Sequence, residues 1–251
     1  MVISSLATQW KVPHDAVAFG SSASLMVATV ESVKLLARTG LFSPYVTRKL
    51  MHMAAGPVFM LTWPFFESRR SAWVAACVPL AMTLKFALVG LGILQNDADV
   101  RAMSRTGDRA ELLRGPLLYG VVFVISTLLW FREMPAGVAL LSLCFGDGLA
   151  DVIGRKFGHE HKLPWSARKS WAGSLGFLAS SFVACALGAQ AFFVHGWSTT
   201  PALASLAPLL IASLVGALVE SLPMADVDNL FVPLAVSAAF LASSSASVHA
   251  A

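Results

Sequence analysis

Between Trp171 and Val194, and again between Gly115 and Phe131, the chain carries no charged residue. Crossing a bilayer core takes about 20 consecutive apolar residues of α-helix. Within that core every backbone N–H and C=O must find its partner inside the protein. Runs of this kind therefore restrict the fold to membrane helices. Similar runs occupy 16–37, 50–66, 72–95, 134–153, 202–220 and 230–248. Only 13% of the residues are charged and 57% are hydrophobic, whereas soluble domains hold about 25% charged residues. A transmembrane β-barrel needs ~10-residue segments of alternating polarity, and none is visible. The expected fold is all-α, a polytopic transmembrane helical bundle of about seven to eight spans, forming one domain over residues 1–251.

The charges that interrupt this pattern are informative. Glu31 and Lys34 sit i,i+3 and are predicted to pair, with Lys34 snorkelling from a helix end. Lys85 is central in its span and is expected to face a polar cavity. Trp63, Trp73, Trp130, Trp171 and Trp197 fall at span ends, as an aromatic belt requires. Cys77, Cys144 and Cys185 show no metal or disulfide spacing and read as small buried hydrophobes. Residues 1–15 have neither transit-peptide nor signal-peptide character.

The net charge of +4 is explained by topology and anionic headgroups, so no nucleic-acid partner is expected. With eight spans, the odd-numbered loops hold Arg38, Arg48 and Lys49, then Arg101, Arg105, Arg109 and Arg114, then Arg155, Lys156, Lys162, Arg168 and Lys169. The even loops hold Arg69, Arg70 and Arg132. The positive-inside rule then puts loops 96–114, 155–170 and 221–229 on one membrane face, the one open to nucleotides.

The chemistry concentrates in residues 146–174, GDGLADVIGRKFGHEHKLPWSARKSWAGS. Carboxylates inside an apolar run are expensive and mark function by default. Asp147 and Asp151, one helical turn apart, project about 40° from each other on one face. That arrangement suits Mg²⁺, which takes one or two carboxylates, waters and substrate phosphates; pairing with Arg155 or Lys156 is the bland alternative. Gly146 and Gly148 would allow close approach of a phosphate or backbone. Lys169 precedes Ser170, a candidate N-cap whose helix would turn free N–H groups toward an anion. Gly173 follows, and Ser174 shares the helix face of Ser170. The residue order is not that of a P-loop. Downstream, Glu220, Asp226, Asp228 and Asn229 bring more polar groups to the same membrane face. Glu220 opposes its helix dipole there and needs a partner, such as a second metal or ribose hydroxyls. Asp226 or Asp228 could simply cap the last span. The histidines show no metal spacing, and His159, Glu160 and His161 read as solvated.

These segments, GDGLADVIGRKFG, KLPW, KSWAGS, VESLP and DVDNLFVPLA, together with RKLMHMAAGPVFMLTWPFF and GDRAELLRGPLLYG, resemble the phytol kinase and farnesol kinase group of the polyprenol kinase family. The resemblance runs from about Arg48 to Pro233. It implies an integral membrane kinase that moves a phosphate from a nucleoside triphosphate, typically CTP, to a long isoprenoid alcohol. Phytol would give phytyl phosphate for tocopherol synthesis; farnesol or geranylgeraniol are the alternative acceptors. Carried over, Asp147 and Asp151 match the acidic, Mg²⁺-holding motif. Lys169, Ser170, Gly173 and Ser174 match the phosphate segment, and Asp228 and Asn229 the C-terminal motif. Two departures stand out: Phe145 where many relatives have Gly, and the His-Glu-His character of loop 158–162. A plastid membrane, or a cyanobacterial-type one, follows from the resemblance. Two other readings share the charges: a cytidylyltransferase making a CDP-lipid, and a transporter binding ions at its intramembrane carboxylates. The oligomeric state is open.

Overall fold

The computed structural model describes residues 14–224 and 227–249; the expectations for the extreme N-terminus and for Asp226 therefore fall largely or wholly outside it. Ten α-helices make up nearly all of it: α1 (His14–Arg38), α2 (Pro44–Leu61), α3 (Ala72–Gly90), α4 (Asp97–Met103), α5 (Gly115–Trp130), α6 (Met134–Leu141), α7 (Gly148–Phe157), α8 (Trp171–Val194), α9 (Leu206–Glu220) and α10 (Asp228–His249). A π-turn over Ser142–Asp147 makes α6 and α7 one continuous run. The sole departure from an all-helical fold among the described residues is a small antiparallel hairpin, β1 (Lys162–Leu163) and β2 (Ser166–Ser170).

Among the described residues, six helical runs are long and apolar enough to cross a membrane: His14–Arg38, Arg69–Gly90, Arg109–Trp130, Met134–Phe157, Trp171–Val194 and Ala202–Glu220. The other two predicted spans form helices but are not among the six. In α2, Arg48 and Lys49 occupy the second turn, which shortens the apolar stretch. The chain is thus an integral membrane bundle of helices, six of which qualify among the described residues.

Helix starts follow local chemistry. Ser43 Oγ accepts from the Val46 N–H and Pro44 opens α2, a favoured N-cap followed by a residue with no N–H to leave unpaired. Asn96 caps α4 by accepting from the Asp99 N–H. Ser170 caps α8 through the Gly173 N–H at 3.2 Å.

One core is aromatic. Phe59, Trp63, Phe66, Phe123, Phe131 and Phe192 are buried together, mostly at the ends of α2, α5 and α8 away from Lys49, Arg114 and Ser170. Trp63 is fully buried, so it belongs to this core and not to an aromatic belt; Trp73 and Trp171 remain exposed as a belt would have them. Arg132, in left-handed conformation, closes the cluster by donating to the Trp63 and Phe66 carbonyls, both at 2.5 Å. Cys144 and Cys185 are buried as expected, whereas Cys77 is exposed on the outer surface.

The interrupting charges meet one another. Lys34 pairs with Glu31 at 2.9 Å, as its spacing predicts. It does not snorkel: its side chain turns inward to Asp99. Lys85 reaches the same carboxylate at 2.6 Å. Asp99, fully buried, thereby pins the short helix α4 to the long helices α1 and α3. Removing one partner from a buried ion cluster leaves uncompensated charge, which typically costs about 3–5 kcal/mol. Asp99→Ala should lower stability by that order, measured as a clear fall in the thermal unfolding midpoint in detergent, while Asp97→Ala on the same helix should not.

Candidate active site

A cavity of about 710 Å³ opens where α2, α7, α8 and α9 meet. The run Met134–Phe157 positions its acidic wall. Its π-turn ends at Asp147 and α7 carries Asp151. π-Turns inside α-helices are rare and concentrate at functional sites. The two carboxylates do share a face, since both turn toward Lys49 of α2. Lys49 Nζ lies 3.1 Å from Asp151 and 3.9 Å from Asp147. Asp151 also accepts from Arg155 Nε at 2.9 Å, so the bland pairing exists alongside the Lys49 contact. His52 Nε2 stands 3.2 Å from Asp147 and 2.9 Å from the Leu143 carbonyl. Two acceptors around one ring nitrogen place the hydrogen on Nε2, so His52 donates and orients the carboxylate. Tyr119 in turn donates to the His52 carbonyl at 2.6 Å.

The opposite wall is the hairpin and the helix it feeds. β2 delivers Lys169 one residue before the Ser170 cap. Lys169 Nζ reaches Glu220 at 2.6 Å and Asp228 at 3.3 Å. Trp165 fastens the hairpin to the end of α9, donating to the Ser221 carbonyl at 3.1 Å. Burial pushes the Lys169 pKa down, but the charges of Glu220 and Asp228 outweigh it and leave it above the ordinary lysine value. The ammonium therefore stays charged at neutral pH. Asp228 moves the other way for a carboxyl: burial first, then the charge of Asp147, raises its pKa despite the neighbouring Lys169.

Asp147, Asp151, Lys169, Ser170, Gly173, Glu220, Asp228 and Asn229 all line this one cavity. So do Arg105, Thr106, Glu111 and Arg114 from the segment after α4, which brings three segments distant in sequence to one place. Gly146, Gly148 and Ser174 do not line it. A side chain at Gly146 would collide with Phe177, 2.8 Å from the added carbon, and one at Gly148 with Met53 at 2.7 Å. Those glycines admit neighbouring side chains, in contrast to the expected approach of a phosphate. Gly154 and Gly173 do allow a close helix crossing, a Cβ on Gly154 falling 3.3 Å from the Gly173 backbone. That crossing brings the α8 cap against α7.

The polar groups suit a hard cation only in part. Among the described residues, no group of three or more His, Cys, Asp or Glu side chains can enclose a metal ion. Glu220 Oε1 accepts from Lys169. Its Oε2 is buried without a hydrogen-bond partner. Two carboxylates one turn apart, completed by water and phosphate oxygens, remain an adequate set for Mg²⁺.

Lys49, His52, Arg48 and Arg105 were not singled out by sequence. Arg48 and Lys49 carry a second signal beyond loop charge: they lie four and three residues before His52, spacings that bring each onto the helix face of His52.

Curated proteins are similar to the chain over most of its length. The chain is 36% identical to phytol kinase 1, chloroplastic, of Arabidopsis thaliana over 250 residues, covering 96% of this chain and 80% of that protein. It is 38% identical to probable phytol kinase 2, chloroplastic, of Oryza sativa subsp. japonica, covering 88% and 73%. Farnesol kinase, chloroplastic, of Arabidopsis thaliana shares 36%, covering 87% and 71%. The chain belongs to the phytol kinase and farnesol kinase family. No family model and no solved structure matches it.

A carboxyl whose pKa is raised on folding destabilises the fold once ionised, and the penalty disappears as pH falls to its ordinary value. Asp228→Asn should therefore raise the thermal midpoint at pH 7, with the difference vanishing near pH 3.8, the ordinary aspartate value. A lower midpoint at pH 7 would show instead that the contact with Lys169 dominates.

Proposed function

We propose that this chain is an isoprenoid-alcohol kinase, transferring the terminal phosphate of CTP to phytol in a plastid membrane and feeding tocopherol synthesis. Membership of the phytol and farnesol kinase family supports the reaction class. The observation that carries the reading is the half-buried Lys169 ammonium. It stands at the mouth of a helix N-terminus, in a cavity whose facing wall holds a carboxylate pair. Phosphoryl transfer requires in-line positioning and neutralised charge more than covalent chemistry.

Lys169, the Ser170–Gly173 turn and the neighbouring cations bind phosphate oxygens. Asp147 and Asp151 are the residues that would hold Mg²⁺, which supplies charge neutralisation across the outer phosphates when bound. His52 fixes the orientation of Asp147 by hydrogen bonding, and Asn229 offers an amide to the nucleotide. The alcohol oxygen forms the new O–P bond, the bridging O–P bond breaks with departure of CDP, and the hydroxyl proton passes to a cavity carboxylate. Loops 96–114, 155–170 and 221–229 then belong to the nucleotide-facing side of a single kinase domain. The chloroplastic relatives support the plastid address. Similarity to a farnesol kinase makes farnesol, with geranylgeraniol, the second acceptor to assay.

The test is transfer of label from [γ-³²P]CTP to phytol in purified, lipid-reconstituted protein. Asp147→Asn and Lys169→Ala should each lower turnover by about 10²–10³-fold, the loss typical of one removed charge-stabilising group. Unimpaired turnover in both variants would sink the site assignment. Release of pyrophosphate in place of CDP would identify a cytidylyltransferase. Chelation with EDTA should stop transfer and added Mg²⁺ restore it; transfer that persists without any divalent ion would remove the metal from the proposal.

A further inference from the structure

The cavity has a second limb that the phosphate chemistry does not use. Below the charged end it continues between α1, α3 and α5, where Met26, Met82 and Phe86 line it with Ala55, Pro79 and Phe123. The hydroxyls here are spent on backbone carbonyls, that of Thr83 on Pro79 at 2.7 Å and that of Tyr119 on His52 at 2.6 Å. Position along the helices gives the depth: Phe123 is eight residues below Gly115 on α5, about 12 Å at 1.5 Å per residue. The limb ends there, because Phe123 packs on Phe59, their rings 6.1 Å apart, and Phe59 belongs to the closed aromatic core.

One molecule filling both limbs needs a polar reacting head and an apolar tail. Resting on the kinase reading above, we infer that this limb receives the isoprenoid chain of the alcohol, and that Ala55, Pro79 and Phe123 form a floor that sets how much chain is held beneath the reacting hydroxyl. Lys49 and His52 lie on the same helix as Ala55, one to two turns above it, so the floor and the charged site are rigidly spaced. Methionine is unbranched and polarizable and conforms to differing shapes. The limb therefore reads chain length more than unsaturation. Phytol and geranylgeraniol, equal in length, should be used similarly, whereas alcohols of fewer isoprene units should lose apolar contact in steps.

The experiment has a binding arm and a kinetic arm. A geranylgeraniol analogue carrying a diazirine near the middle of its chain is photolysed with the full-length protein in lipid nanodiscs, and labelled peptides are mapped by mass spectrometry. Label on the segments holding Met26, Met82 or Phe123, displaced by excess phytol, supports the limb. Label confined to outward-facing residues such as Leu80 and Leu84 overturns it. In the kinetic arm, Ala55→Phe, with Met26→Phe as a second variant should the first misfold, is assayed with geraniol, farnesol, geranylgeraniol and phytol. The kcat/KM for the two longest alcohols should fall by roughly tenfold or more, with KM for the nucleotide unchanged and geraniol least affected. An unchanged length profile overturns the floor, as does an equal loss for every alcohol. Labelling needs no turnover, so the two readings fail separately. Limb labelling without phosphorylation of any alcohol would refute the kinase and leave the limb; phosphorylation with the limb unlabelled would do the reverse.

Discussion

Charge placed among apolar helices must be compensated where it stands, and this bundle does so by drawing distant segments onto single cations or carboxylates. Lys169 ties the end of α9 to the start of α10. Lys49 ties α2 to the π-turn and α7. Asp99 ties α4 to α1 and α3. Hydrophobic contact between helices has little directionality in lipid, since the tails are as apolar as the side chains. Pairing of buried charge is directional, and it fixes which helix ends meet. Two of these three knots, those of Lys169 and Lys49, line the cavity, so the constraint that assembles the fold also assembles the site.

Much of this was legible because membranes impose a narrow grammar. The helical class, the runs at 115–131 and 171–195, and the Ser170 cap follow from hydropathy and capping rules that act locally. Asp147 and Asp151 were conspicuous because a carboxylate in hydrocarbon has to be explained. What could not be read is what depends on partners far away in the chain. Arg48 and Lys49 look like ordinary positive-inside residues until α2 is seen leaning on Asp147. Lys34 looks like a snorkelling end until Asp99, 65 positions later, is found beneath it. Glycine misleads in the opposite direction: Gly146 and Gly148 flank an acidic residue as a phosphate loop might, but the space they leave is filled by Phe177 and Met53.

The two limbs of the cavity also explain why the machinery need not resemble that of soluble kinases. A phosphate-binding loop on a soluble domain meets both reactants in water. In the proposed reading the donor arrives from the aqueous side, and the apolar limb opens into the charged end within one cavity. The acceptor would then reach the site along a path that water does not favour, which would limit wasteful hydrolysis of the donor.

The π-turn at Ser142–Asp147 has a consequence for how such a site can change over time. A widened turn takes up one surplus residue, so the helix keeps nearly one phase on either side of it: α6 packs in the bundle and α7 aims carboxylates at the cavity. Loss of a single residue from the widened turn would restore regular winding and leave α7 aimed much as before. Loss of a single residue between Asp147 and Asp151 would instead swing one carboxylate from the other by about 100°, the angle per residue of a 3.6-residue helix. Length is therefore under stricter constraint between the two carboxylates than in the turn that precedes them, even where each aligned residue is identical.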